Sequence, residues 1–145
     1  MNNIFIEALN FVNYHNKDEL IGKITGINDK DEILNKLAPY IGIVKLIGPK
    51  VNLQVIGEVV NNGGCAIAKV YRNGIHYVLI TEVENLDICV LDINDNDFNG
   101  DNYVSLEDSS YCNRRVKMVR FISNNEEDYA LMNVMDREVI LLQKD

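Results

Sequence analysis

Apolar residues recur at Ile4, Ala8, Phe11 and Val12, with Leu9 on the flank. That spacing of three and four predicts an amphipathic helix over residues 3–15. Asp18-Glu19-Leu20-Ile21 predicts a second, short helical turn. Asp29 followed by Glu32 has the form of a helix start, in which the side chain at the cap takes up an N–H that the helix leaves unpaired. Ile33, Leu34 and Leu37 supply the apolar face of that helix, and Pro39 and Gly42 mark its end. Asn52 caps a further helix with Leu53, Ile56, Val59 and Val60 facing inward, and Gly63-Gly64 stops it.

From there the period falls to two. Cys65 to Val70 is a short apolar run. Arg72-Asn73-Gly74 is a tight turn, since Asn-Gly tolerates the positive φ that hairpins require. Ile75 to Val83 and Leu86 to Asp92 read as two further strands around a turn at Glu84-Asn85. Val116 to Phe121 and Val139 to Leu142 add two more. Helices first and an antiparallel meander afterwards predict an α+β domain over residues 1–145, with the N-terminal helices packed on one face of an antiparallel β-sheet. Asp92 to Asp108 is the one long polar loop, leading into a helix capped by Ser105.

Charge narrows the partners. A formal net charge of −8 repels phosphate backbones, so no nucleic acid is expected as a partner, whereas cations or basic peptides suit the surface. The three cysteines, Cys65, Cys89 and Cys112, are odd in number and match no zinc spacing. Cys65 and Cys89 lie in apolar runs and read as buried thiols in a reducing, cytoplasmic compartment. The N-terminal residues have neither the basic nor the apolar region of a signal peptide. No apolar run approaches the roughly 20 residues that span a bilayer.

The chemistry concentrates on Gly74-Ile75-His76-Tyr77-Val78 and on Asp92, sixteen residues after the histidine. A histidine acting as general base needs a partner that fixes its tautomer and stabilises the imidazolium. His76 near the start of one strand and Asp92 at the end of the next are brought together by their hairpin. His15 has no such partner in view and reads as a surface residue.

Residues 53–108 resemble the papain-like double-glycine leader peptidases, the processing domains attached to bacteriocin-exporting ABC transporters. The resemblance is carried by the helix Leu53 to Val60, Gly63-Gly64, the run Ala66 to Val70, Gly74-Ile75-His76-Tyr77-Val78, Leu91-Asp92 and Val104-Ser105-Leu106-Glu107-Asp108. It implies a papain-like fold and a cysteine peptidase with His76 as base and Asp92 as its orienting partner. A peptide would be the substrate and an ABC exporter the associated partner, and no cofactor is needed. The family places its nucleophilic cysteine at the start of the first helix. Counting back from His76 reaches Met1 to Asn3, where there is no cysteine, and no glutamine precedes it to build the oxyanion hole. Ile93 stands where the family has proline. Cys65 follows a helix C-terminus, where the dipole disfavours a thiolate, and Cys89 is mid-strand. The expectation is a degenerate or N-terminally truncated peptidase-like domain that binds a peptide.

A second class stays open. Asp97, Asn99, Asp101, Ser105 and Asp108 occupy positions 1, 3, 5, 9 and 12 of a loop of the kind that holds Ca2+ through alternating oxygens. Asp97, Asn99, Asp101 and Asp108 would be side-chain ligands, with the Tyr103 carbonyl as a fifth. In that alternative the chain is a non-enzymatic calcium-binding or protein-interaction module, and His76 and Asp92 are structural.

Overall fold

The computed structural model describes residues 1–94 and 97–145. Helices α1 (Asn2–Val12), α2 (Lys17–Ile24) and α3 (Lys30–Leu37) come first. Strand β1 (Ile43–Ile47) and helix α4 (Leu53–Asn61) lead into β2 (Cys65–Tyr71), β3 (Ile75–Glu84) and β4 (Asp87–Leu91). Then come β5 (Val104–Ser109), β6 (Cys112–Lys117), a single turn α5 (Met118–Phe121) and β7 (Glu138–Leu142). The strands form one seven-stranded sheet in the order β1-β7-β2-β3-β4-β6-β5, every pair antiparallel.

Local signals act as expected in the first half. The Asp29 carboxylate accepts from the Glu32 N–H at the start of α3, and the Asn52 side chain accepts from the N–H groups of Gln54 and Val55 at the start of α4. The β2–β3 turn holds Asn73 at φ 56° and Gly74 at φ 111°, and Asn85 turns β3 into β4 at φ 52°. Gly64 is required by a close approach, because a Cβ there would meet the Leu142 carbonyl oxygen at 2.4 Å.

Three expectations are corrected, and one strand, β1, was not foreseen. The helices do not share one face of the sheet. Alternate residues of β2 face opposite ways, with Cys65 and Ile67 under α1–α3 and Ala66, Ala68 and Val70 under α4 and the segment Phe121–Leu131. Both faces are therefore covered, which is why β2 and β7 read as unbroken apolar runs. Residues 104–109 form strand β5 rather than a helix capped by Ser105, because their backbone pairs with β6. The strand expected over Val116 to Phe121 is displaced: β6 ends at Lys117 and the chain then turns helical. Strand β1 lacks the regular alternation that would reveal it, since it pairs only with β7 at the sheet edge.

Candidate functional site

The β3–β4 ladder sets Leu79 opposite Leu91, so Asp92 follows opposite Val78, with His76 two residues further along the same face. Such diagonal neighbours lie within reach of a ring and a carboxylate. His76 Nε2 and Asp92 Oδ1 are 2.6 Å apart. With Nε2–H donated to Asp92, Nδ1 carries the free lone pair.

Asp92 is held from every side. Its carboxylate is fully buried, its Oδ2 accepts from the Tyr129 hydroxyl at 2.6 Å, and its Oδ1 also accepts from the Asn94 N–H at 3.3 Å. The Asn113 side chain clamps its backbone, accepting from the Asp92 N–H and donating to the Asp92 carbonyl. Burial pushes the Asp92 carboxyl up, but hydrogen bonds from His76 and Tyr129 and the charge of His76 outweigh it and hold the group below its ordinary value of 3.8. Behind it, Arg114 Nε donates to the Tyr129 hydroxyl at 3.1 Å, and the Phe98 ring packs edge-on against Tyr129 with centroids 5.7 Å apart.

His76 opens on a cleft of about 200 Å³ lined by Met1, Asn3, Ile4, Ile75, Tyr77, Ile93 and Asn94. Three isoleucines, a methionine, two amides, a phenol and an imidazole line it. The first turn of α1 forms one wall. Asn2 fixes that turn in place by donating to the carbonyls of Ile24 and Ile27 at the end of α2.

Among the described residues no cysteine, serine or threonine lines this cleft. Cys65 lies at the far end of β2 from Val70, the residue paired with His76, which puts it about 17 Å away along the strand. It is fully buried, and burial pushes its thiol far above the ordinary value. Burial, and then a hydrogen bond with Cys112, push the Cys89 thiol up to about 12. All three cysteines are free and buried. His15 lies at the surface and pairs with Asp145, Nδ1 to Oδ2 at 2.9 Å.

The acidic loop is organised by the protein's own groups. Asp101 Oδ1 accepts from the N–H groups of Tyr103 and Val104, and its Oδ2 from Arg120 at 3.0 Å. Extended β5 carries Asp108 roughly 10 Å along the strand from Ser105, where a calcium loop would curl back. Among the described residues no group of three or more His, Cys, Asp or Glu side chains is placed to hold a metal ion. Asp97, Asn99, Asp101, Tyr103 and Asp108 thus lie in one segment without forming a ready cage.

A second buried carboxylate lies on the opposite face of β3. Glu138 Oε2 is 2.6 Å from Lys30 Nζ and 3.3 Å from Lys45 Nζ, and the Tyr77 hydroxyl donates to its Oε1 at 2.9 Å. Burial raises the Glu138 carboxyl, but Lys30, then Tyr77 and Lys45, hold it below its ordinary value of 4.5.

Sequence reasoning reached His76 and Asp92 but missed Tyr129, Arg114, Asn113 and Asn3. Arg114 carried a signal, since alternation through Cys112, Arg114 and Val116 places a charged side chain on the core-facing side of β6. Among the described residues no helix is long and apolar enough to cross a membrane. The chain matches no family model, no characterised protein and no solved structure.

Proposed function

We propose that the chain is a papain-like, peptidase-type domain whose cleft beside His76 binds an extended peptide segment, and that it acts as a peptide-binding pseudoenzyme. One observation carries this reading: the 2.6 Å His76–Asp92 pair, whose histidine lines the cleft walled by the first turn of α1. In a thiol peptidase that turn bears the nucleophile. Here Asn3 stands there instead, and among the described residues the pair has no nucleophile beside it to activate. Without a nucleophile, His76 Nδ1 accepts a hydrogen bond from a peptide N–H, while the Asn3 and Asn94 amides offer both donors and acceptors. Ile4, Ile75 and Ile93 suit small apolar side chains. A cytoplasmic site of action and an exporter as the destination of the peptide follow from the family resemblance and belong to the same proposal.

The test is a titration of 15N-labelled protein with a synthetic extended peptide ending in Gly-Gly, followed by mass analysis of the peptide. Shift changes should centre on Ile75, His76 and Asn94, weaken about tenfold in His76→Ala as expected for one hydrogen bond to an ionisable group, and leave the peptide uncut. Shifts centred elsewhere, or none at saturating peptide, would remove the reading. Cleavage that survives removal of trace protease would replace the pseudoenzyme with an active one.

A further inference from the structure

We propose that Tyr129 is a positioning residue for His76, acting through Asp92, with Arg114 fixing the direction of the chain of hydrogen bonds. This rests on His76 and Asp92 being the working pair of the cleft.

The argument begins with the phenol. A tyrosine hydroxyl has one proton to give. Here it goes to Asp92 Oδ2 at 2.6 Å, and the oxygen lone pair accepts from Arg114 Nε–H at 3.1 Å. The guanidinium can only donate and the ionised carboxylate can only accept, so the bond between phenol and Asp92 runs from the hydroxyl to Oδ2. Burial, and then the bond to Asp92, raise the Tyr129 phenol far above its ordinary value, which keeps that proton in place. With Oδ2 occupied, the carboxylate presents Oδ1 to His76 Nε2. The imidazole is thereby held as the Nε2–H tautomer, with Nδ1 as the acceptor in the cleft.

The backbone at Tyr129 points the same way. It adopts φ 69°, a left-handed conformation that costs an ordinary side chain about 1 kcal/mol. Strain of this kind persists where the surroundings over-determine it. The Tyr129 N–H donates to the Tyr71 carbonyl at 2.7 Å, and the Tyr71 N–H to the Ala130 carbonyl at 3.0 Å. Tyr71 ends the strand next to His76, so the residue that steadies Asp92 is tied to the hairpin that carries the histidine. Phe98 closes the outer side, with its centroid 5.6 Å from the Arg114 guanidinium and 5.0 Å from that of Arg72. The hydrogen bonds therefore lie in a dry pocket, where they are stronger than in water.

The test uses 15N shifts of the His76 ring in the whole chain, which report the tautomer without any peptide. Tyr129→Phe keeps the ring and its packing and removes only the hydroxyl. Its expected result is a roughly tenfold fall in the ratio of Nε2–H to Nδ1–H tautomer, the weight of one charge-assisted hydrogen bond, with backbone shifts elsewhere unchanged. An unchanged tautomer ratio in a folded variant overturns the proposal. Should Tyr129→Phe not fold, the unsubstituted protein decides. A slowly exchanging Tyr129 hydroxyl proton scalar-coupled to the Asp92 carboxylate supports the relay, and its absence overturns it. If peptide fails to bind while the tautomer responds, the relay stands and the peptide reading falls. If peptide binds and the tautomer does not respond, the reverse holds.

Discussion

Two carboxylates lie buried on opposite faces of one sheet, and neighbouring residues of β3 serve them: His76 meets Asp92, and Tyr77 meets Glu138. Each carboxylate accepts from a tyrosine hydroxyl and each is held below its ordinary value. Their other partners differ. Glu138 faces two lysines, from α3 and β1. Its acceptors are used up within the protein, and what remains is a clamp that ties α3 and the sheet edge to β7. Asp92 instead faces a single imidazole, and that histidine lines a cleft. The same burial thus yields a staple on one face and a candidate site on the other, and the partner decides which.

The comparison is broken most strongly at the staple. Glu138→Ala leaves Lys30 and Lys45 facing each other without the charge that gathers them. Breaking a buried ion pair from one side costs about 3 kcal/mol, at the low end of the usual range because both lysines keep some contact with water. Urea unfolding should show that loss at pH 7 while peptide binding to the folded fraction stays intact. Asp92→Asn should show the inverse, with a cost of about 1 kcal/mol in stability and peptide binding lost. Equal stability losses with intact binding in both variants would make Asp92 a second staple.

Acid separates the two carboxylates less sharply. Both carboxyls are depressed in the folded chain, so on acidification the unfolded chain takes up protons that the folded one does not. Their stabilisation is complete above the ordinary values of 3.8 and 4.5, and is lost as pH falls through the lowered folded values. Thermal midpoints measured from pH 7 down to pH 2 should fall steeply below about pH 5. The fall should be shallower in Asp92→Asn and in Glu138→Gln. A slope that neither variant changes would mean that other carboxylates govern the acid limb.

The sequence disclosed these two regions unevenly, for physical reasons. His76 and Asp92 sit at the two ends of a hairpin, and a hairpin is local: its turn residues and its alternation are both readable, so their meeting follows from spacing. Asp29 and Asn52 were readable as caps for the same reason. Glu138 opens an apolar run, and its lysines lie far upstream, so only the sheet order β1-β7-β2 brings them together. That order requires β1 and β7 to cross back over the meander, which no local pattern encodes. Tyr129 is equally remote, in an irregular segment whose path is set by its pairing with Tyr71 and Phe121. Ser105 to Asp108 were misread because a cap-like serine followed by acids resembles a helix start, whereas pairing with β6 fixes them as strand.

The finest way to sharpen the comparison is to supply what the cleft lacks. Asn3 is exposed, lies in the first turn of α1 and lines the cleft with His76. A thiol installed by Asn3→Cys would feel the N-terminal end of the helix and the imidazole together, both of which favour thiolate. If they lower its pKa by about one unit, the thiolate fraction at pH 7 rises nearly tenfold, while each thiolate becomes less nucleophilic, so alkylation by iodoacetamide should quicken about threefold net. The comparison thiol is Asn10→Cys, further along the same helix. The three native cysteines stay slow in both variants because they are buried. Adding His76→Ala should abolish most of the gain, and adding Glu138→Gln should leave it unchanged, since Glu138 lies across the sheet from the imidazole. A gain indifferent to His76 would belong to the helix terminus alone. The His76–Asp92 face would then lose its claim to be a place where a peptidase nucleophile could stand.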